Sequence, residues 1–347
     1  MSTIPETAVS QSADPGAGGA SAASEASASP LKVMGVVGLL VVILVAFLVA
    51  FALPGLRAEP RDVPVALVAP EPVAAQLRAA ADTMAPDAIA WTEVADEAAA
   101  TDLLRGREAV GAIVVEETEL RVLAPTATGA SMSTFVRDMG ERIGATAGLP
   151  VTVSDPVPFT ADDPRGIGLS AGALPIALGG WIAAVGIIAT VRGSKTRIIA
   201  ALSFAVLGGA AMTAVLRFWF GTFEGSYPAL AAAGMLGIAA TSLLVLGLQR
   251  LLRGVGIVIA AMILILLGNP LSGLTTATEL LPSPWGGIGQ WLPPGATGAL
   301  LRNVGFFDGS TALLPALALA AWALLGAGCY ALGAWRESRA ALAPAAS

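Results

Sequence analysis

Histidine is absent from the chain and cysteine occurs once, at Cys329. That inventory excludes a disulfide scaffold, cysteine-based zinc sites, a Ser-His-Asp triad and an HExxH metalloprotease. One stretch approaches a phosphate cradle. Gly193-Ser194-Lys195-Thr196 shares the end of the GxxxxGK[ST] pattern, in which backbone amides hold phosphates. Here Ser194 rather than glycine precedes the lysine, and an apolar run rather than a strand leads in. The stretch reads as a basic turn, so any ATP hydrolysis falls to another chain. Thr190, Ser203, Thr213, Thr241 and Ser242 lie in apolar runs. They read mainly as hydrogen bonds between helices or back to the helix backbone, with lining of a path the lesser reading.

The elements that must carry these residues follow from composition. Apolar residues make up 55% of the 347 and charged residues 13%, about half the share of roughly 25% in a soluble domain. The charge is also divided. Residues 1–169 hold ten Lys/Arg against 21 Asp/Glu, whereas residues 170–347 hold nine against four. No clustered basic surface of the kind nucleic acid requires is evident.

Six apolar runs are long enough, or nearly so, to cross a bilayer: Val33–Leu53, Ser170–Val191, Ile198–Leu216, Pro228–Leu248, Gly254–Gly268 and Ala312–Gly333. A span needs about 20 such residues. The first run has 21, longer than the roughly 7–15 of a signal-peptide core, and reads as an uncleaved anchor. The run from Gly254 reaches span length only by including Leu251 and Leu252, with Arg253 reaching out from its end. No Asp, Glu, Lys or Arg lies away from the ends of these runs, which argues against proton- or sodium-coupled transport. Gly179-Gly180, Gly208-Gly209, Gly326 and Gly328 allow close helix packing or a sliding interface.

Orientation follows from the cations flanking the runs. With the N-terminus in the cytoplasm, Lys32, Arg192, Lys195, Arg197, Arg250, Arg253, Arg336 and Arg339 lie inside, and only Arg217 and Arg302 lie in short outer loops. Residues 54–169 and 269–311 are then outside. The first of these segments alternates strand and helix periods in the order β-α-β-α-β-β-α-β, a small α/β domain. Asp96 is its clearest helix cap, Ser131 opens its last helix, Val151–Phe159 is its last strand, and Glu116–Glu119 form a hairpin turn. Its 18 acids against nine arginines read as a solvated surface, with a cationic ligand the lesser reading. The second segment is apolar but broken by Pro270, Pro282, Pro284, Pro293 and Pro294, and carries Trp285 and Trp291. It reads as a re-entrant or interfacial helix pair.

The expected fold is therefore a polytopic α-helical membrane protein with six transmembrane helices and a small extracytoplasmic α/β domain between the first and second. Residues 1–30 form a disordered cytoplasmic tail, 31–53 the first helix, 54–169 the α/β domain, 170–335 a five-helix membrane domain with the outer loop 269–311, and 336–347 a cytoplasmic tail.

Three stretches resemble type-2 ABC transporter permeases, in particular the phage-infection-protein-like branch. They are Ala98–Val115, Asp155–Leu169, and Gln290–Gly295 followed by Leu300–Asn303 and Phe306–Gly309. The resemblance covers roughly residues 33–335, mostly as architecture. It implies a non-enzymatic membrane subunit of an ABC-type exporter in a bacterial plasma membrane, with both termini cytoplasmic. The subunit would pair with itself or a similar permease, and ATP would act only through a separate ATPase subunit. Arg192, Lys195, Arg197, Arg250 and Arg253 become the candidate ATPase dock. Asp163, Pro164, Gly166, Trp291, Leu292, Pro293, Gly295 and Arg302 become the candidate outer gate or family motif. An apolar path favours hydrophobic, lipid-like or peptide cargo. A membrane-anchored scaffold or receptor, whose outer domain binds a partner without transport, is the alternative.

Overall fold

A computed structural model describes residues 30–274 and 276–342. The segment expected to be a disordered tail lies outside the described residues, except for Pro30, which opens the first helix. Two compact units divide after Ala46. The first described element, α1 (Pro30–Leu56), carries its apolar residues all round rather than on one stripe, as a helix immersed in lipid does.

The α/β domain follows in the order β1 (Val63–Val68), α2 (Glu71–Met84), β2 (Ile89–Glu93), α3 (Glu97–Arg105), β3 (Gly111–Val115), β4 (Leu120–Leu123), α4 (Ala130–Ala147) and β5 (Val151–Ser154). The sheet order is β2-β1-β3-β4-β5, parallel except where β3 meets β4 across the hairpin. Side chains alternate across a strand. Val63, Val65 and Leu67 therefore pack with α2 and α4, while Ala66 packs with Ala100 and Leu104 of α3 on the other face. Pro64 sits in this central strand, although proline normally avoids one. Two features make room for it. The β1–β3 ladder starts only at Val65 opposite Gly111, and the Pro64 carbonyl accepts from Val110 N–H at 2.9 Å.

Local signals behave as chemistry requires in some places and not in others. Asp96 caps α3 by accepting from Ala99 N–H at 2.8 Å. Ser131 does not cap α4: the helix starts one residue earlier, from Gly129 at φ 132°, and no side chain caps it. The last strand stops at Ser154. There Asp155 turns the chain by accepting from Thr126 Oγ1 at 2.7 Å and from the amide of Val157 at 3.2 Å.

Counting α1, five described helices are long and apolar enough to cross a membrane, the composition of a multi-pass membrane protein. Beyond the α/β domain these are α5 (Ile167–Thr190), α6 (Ser194–Ala214, extended by a π turn at Val215–Trp219), α7 (Tyr227–Leu252) and α11 (Leu313–Leu342). Between α7 and α11 lie α8 (Gly254–Ala261, extended by a π turn at Met262–Gly268), α9 (Trp285–Trp291) and α10 (Pro293–Phe306).

The α8 run is shorter than the sequence suggested. Leu251 and Leu252 belong to α7, and Arg253, at φ 57°, breaks the chain between the two helices. What remains is 15 residues, about 22 Å at 1.5 Å per residue.

Helix α7 is the hub of the bundle. One glycine from each flanking helix lies against its backbone. A Cβ at Gly180 would strike Ile238 O, one at Gly209 would strike Met235 N, and one at Gly326 would strike Leu243 C. Gly179 and Gly328 face open space. Four of the five span hydroxyls serve their own helices: Thr190, Thr213 and Thr241 donate to the carbonyls of Gly186, Gly209 and Gly237, and Ser242 donates to that of Ile238.

Candidate functional site

The five candidate dock cations gather at one end of the bundle. Arg192, Arg197, Arg250 and Arg253 border a single cavity of about 410 Å³, together with Glu337 and Tyr330. Their duties differ. Arg197 donates to the carbonyls of Val191 and Ile188, the free end of α5. Arg250 is paired with Glu337 at 2.7 Å, donates to Ser194 Oγ and lies 4.4 Å from the Tyr330 ring. Arg192, Lys195 and Arg253 are exposed and take part in no ion pair among the described residues. The Gly-Ser-Lys-Thr stretch is the start of α6, where the Tyr330 hydroxyl donates to the Ser194 carbonyl at 2.8 Å.

The residues of the outer-gate motif fall into two groups. Trp291, Leu292, Pro293 and Gly295 form the turn from α9 into α10. This turn lies beside the middle of the long helices. The Trp291 carbonyl accepts from Trp322 Nε1 at 2.7 Å, and Trp322 is the tenth residue of α11. Thr297 abuts Gly237, the eleventh residue of α7.

Backbone at such depth must satisfy its own polar groups, and the sequence of the turn does so. Pro293 and Pro294 remove two first-turn N–H groups that would otherwise lack acceptors. The Pro293 carbonyl accepts from Thr297 Oγ1 at 2.7 Å, and that of Leu292 accepts from Ala296 N–H at 2.9 Å. Gly295 is needed because a Cβ there would strike the Gly289 carbonyl.

The second group lies at the other end of α10. Arg302 is nine residues on from Pro293, about 14 Å along the helix. It borders a cavity of about 270 Å³ shared with Arg165, Gly166 and the Gly129–Ser131 start of α4. Asp163 precedes Arg165 by two residues. Its carboxylate accepts from Ile167 N–H at 2.9 Å and Gly168 N–H at 2.7 Å, holding the start of α5. Gly166 adopts φ 62°, with the Phe159 ring against the place a Cβ would take. Pro164 lies in the intervening turn and is exposed.

The α/β domain is fastened to the loop that carries α9 and α10. Glu59 N–H donates to the Leu280 carbonyl at 3.1 Å, and Ala277 is buried among the residues of the domain core. Phe159 meets Phe306 edge to face at 5.4 Å. Arg107 lies 5.2 Å from the Phe307 ring, and burial lowers its pKa, partly offset by Glu279.

Arg165 and Arg107 were passed over in the sequence, where the nine arginines of residues 54–169 count as surface. Their positions mark them: Arg165 adjoins Gly166 within Asp155–Leu169, and Arg107 follows the α3 cap glycine. Among the described residues, no three carboxylate or thiol groups come together as a metal site. No family model, curated protein or solved structure matches the chain.

Proposed function

We propose that the chain is the membrane-spanning permease subunit of an ABC-type exporter, moving a hydrophobic, lipid-like or peptide substrate outward with a separate ATPase subunit. The observation that carries this reading is the coupling of a folded α/β domain to a helix pair, α9–α10, that dips among the long helices. A permease needs such a link, because work done at one membrane face must move groups at the other.

In this reading α8 is a short sixth crossing, α9–α10 is re-entrant, the α/β domain is extracytoplasmic, and both termini are cytoplasmic in a bacterial plasma membrane. The basic end of the bundle faces the ATPase. Arg192, Lys195 and Arg253 are the cations free to meet it, since Arg197 and Arg250 hold the bundle together. Exposed apolar side chains along α6, among them Ile199, Phe204 and Leu207, offer a face to lipid or to a second permease subunit.

The test is purification from native membranes under mild detergent. An ATPase should accompany the wild-type chain and be lost from a variant with Arg192, Lys195 and Arg253 changed to Gln, whose thermal stability is unchanged. If no ATPase accompanies the wild type, the permease reading fails and the membrane-anchored scaffold or receptor takes its place.

A further inference from the structure

The cavity at the Arg302 end of α10 is lined by cationic groups that no carboxylate among the described residues pairs with. Two guanidinium groups, Arg165 and Arg302, border it. Neither forms an ion pair among the described residues. The Arg302 Nε is cut off from solvent and has no hydrogen-bond partner. A buried N–H of a charged guanidinium without an acceptor is costly and is normally matched by a carboxylate or phosphate oxygen.

The third wall is the start of α4, an 18-residue helix whose first turn has no side-chain cap and no acidic residue. Its free amides and dipole favour an anion at that point. Ser131 and Ser170 add hydroxyls to the wall, and Leu169, Leu274 and Ala277 make the rest apolar.

The nearby carboxylates do not pair with either arginine, although the charge of Glu279 acts on Arg302. Asp163 accepts from the amides that open α5, and Glu279 accepts from Thr278 Oγ1 at 3.0 Å. Arg107 adds a further positive charge close enough to act on Arg302. With Arg107, Arg165 and Arg302 set against Asp163 and Glu279, the local balance keeps one net positive charge, inside a partly enclosed space.

We propose that this cavity binds a phosphate group, held by the Arg165 and Arg302 guanidiniums and the N-terminal amides of α4. The fork of an arginine matches two phosphate oxygens, which is why arginine rather than lysine suits such a site. The group could belong to a free phosphate or to a phospholipid headgroup at the membrane surface, and one experiment separates these sources.

The full-length chain is purified in a neutral detergent, and inorganic phosphate is titrated by calorimetry. In parallel the chain is equilibrated with vesicles of phosphatidylglycerol and examined by native mass spectrometry for retained lipid. Saturable phosphate binding, weakened about tenfold or more in Arg302→Gln and in Arg165→Gln, establishes a free-phosphate site. Retained phosphatidylglycerol that both substitutions release, without phosphate binding, assigns the headgroup. Neither signal, or signals that both variants keep, overturns the proposal. Arg165 is exposed, so Arg165→Gln carries the test if Arg302→Gln fails to fold. Arg302→Lys should bind more weakly than the wild type and more strongly than Arg302→Gln. No transport is measured, so the result stands apart from the permease reading.

Discussion

The Arg197 guanidinium donates to the carbonyls of Ile188 at 3.0 Å and Val191 at 2.8 Å. A residue in the first turn of α6 thus closes the last turn of α5, where four carbonyls would otherwise lack partners. Arg197→Gln should lower the stability of the chain in detergent by about 1–3 kcal/mol. Arg192→Gln and Lys195→Gln should change it by less than about 0.5 kcal/mol. Thermal unfolding of the three variants checks this. Equal effects at all three positions would mean that Arg197 contributes charge alone.

Gly326 and Gly328 are two residues apart on α11, yet their surroundings are opposite. A Cβ at Gly326 would meet the backbone of Leu243 and Leu244, and one at Gly328 would meet nothing within 4 Å. Gly326→Ala should destabilise by about 1–3 kcal/mol through overpacking. Gly328→Ala should be neutral or stabilise slightly, since alanine is the better helix former. If the two substitutions behave alike in thermal unfolding, the close approach of α7 and α11 is not as described.

Replacing both Pro293 and Pro294 with Ala restores two amide groups at the start of α10, where the surroundings are buried. It also removes the ring that packs on Gly268. The double variant should lose about 2–4 kcal/mol, the cost of two buried amides without acceptors. Its insertion, read by labelling of engineered cysteines in the short loops, should be unchanged. Undiminished stability would show that the turn is wet rather than shielded.

Acid should weaken the α/β domain through Glu119. Hydrogen bonds from Arg121 and Thr152 hold its carboxyl below the ordinary value of 4.5. A carboxylate depressed by folding stabilises above its unfolded pKa, and that contribution is lost as pH falls through the lower, folded value. The stability difference between wild type and Glu119→Gln, from denaturant unfolding at pH 6 and pH 3, should therefore shrink in acid. A difference independent of pH would exclude this pairing. Arg121 also meets Glu97 at 2.6 Å and Glu116 at 3.0 Å, so part of the acidic surface serves one arginine.

Local chemistry made much of this protein legible in the sequence. The strand and helix order of the α/β domain follows from the periodicity of apolar residues, and Asp96 and the Glu116–Glu119 turn mark boundaries through bonds made within a few residues. The long apolar runs coincide with helices for the same reason, because each satisfies its backbone internally. The cap expected at Ser131 failed because Gly129, at φ 132°, lets α4 begin without one. The span that was to include Leu251 and Leu252 failed because Arg253 turns the chain, a backbone break that hydropathy does not register.

The sequence alone therefore determined the elements, their order and the absence of histidine and disulfide chemistry, since these depend on residue type and near neighbours. Only the tertiary structure decided which glycine of each pair lies against the α7 backbone, which basic residues are already engaged, and that Arg165 and Arg302, 137 positions apart, border one cavity. Such matters depend on how distant segments pack. Packing is set by the simultaneous fit of many side chains, and no spacing along the chain encodes it.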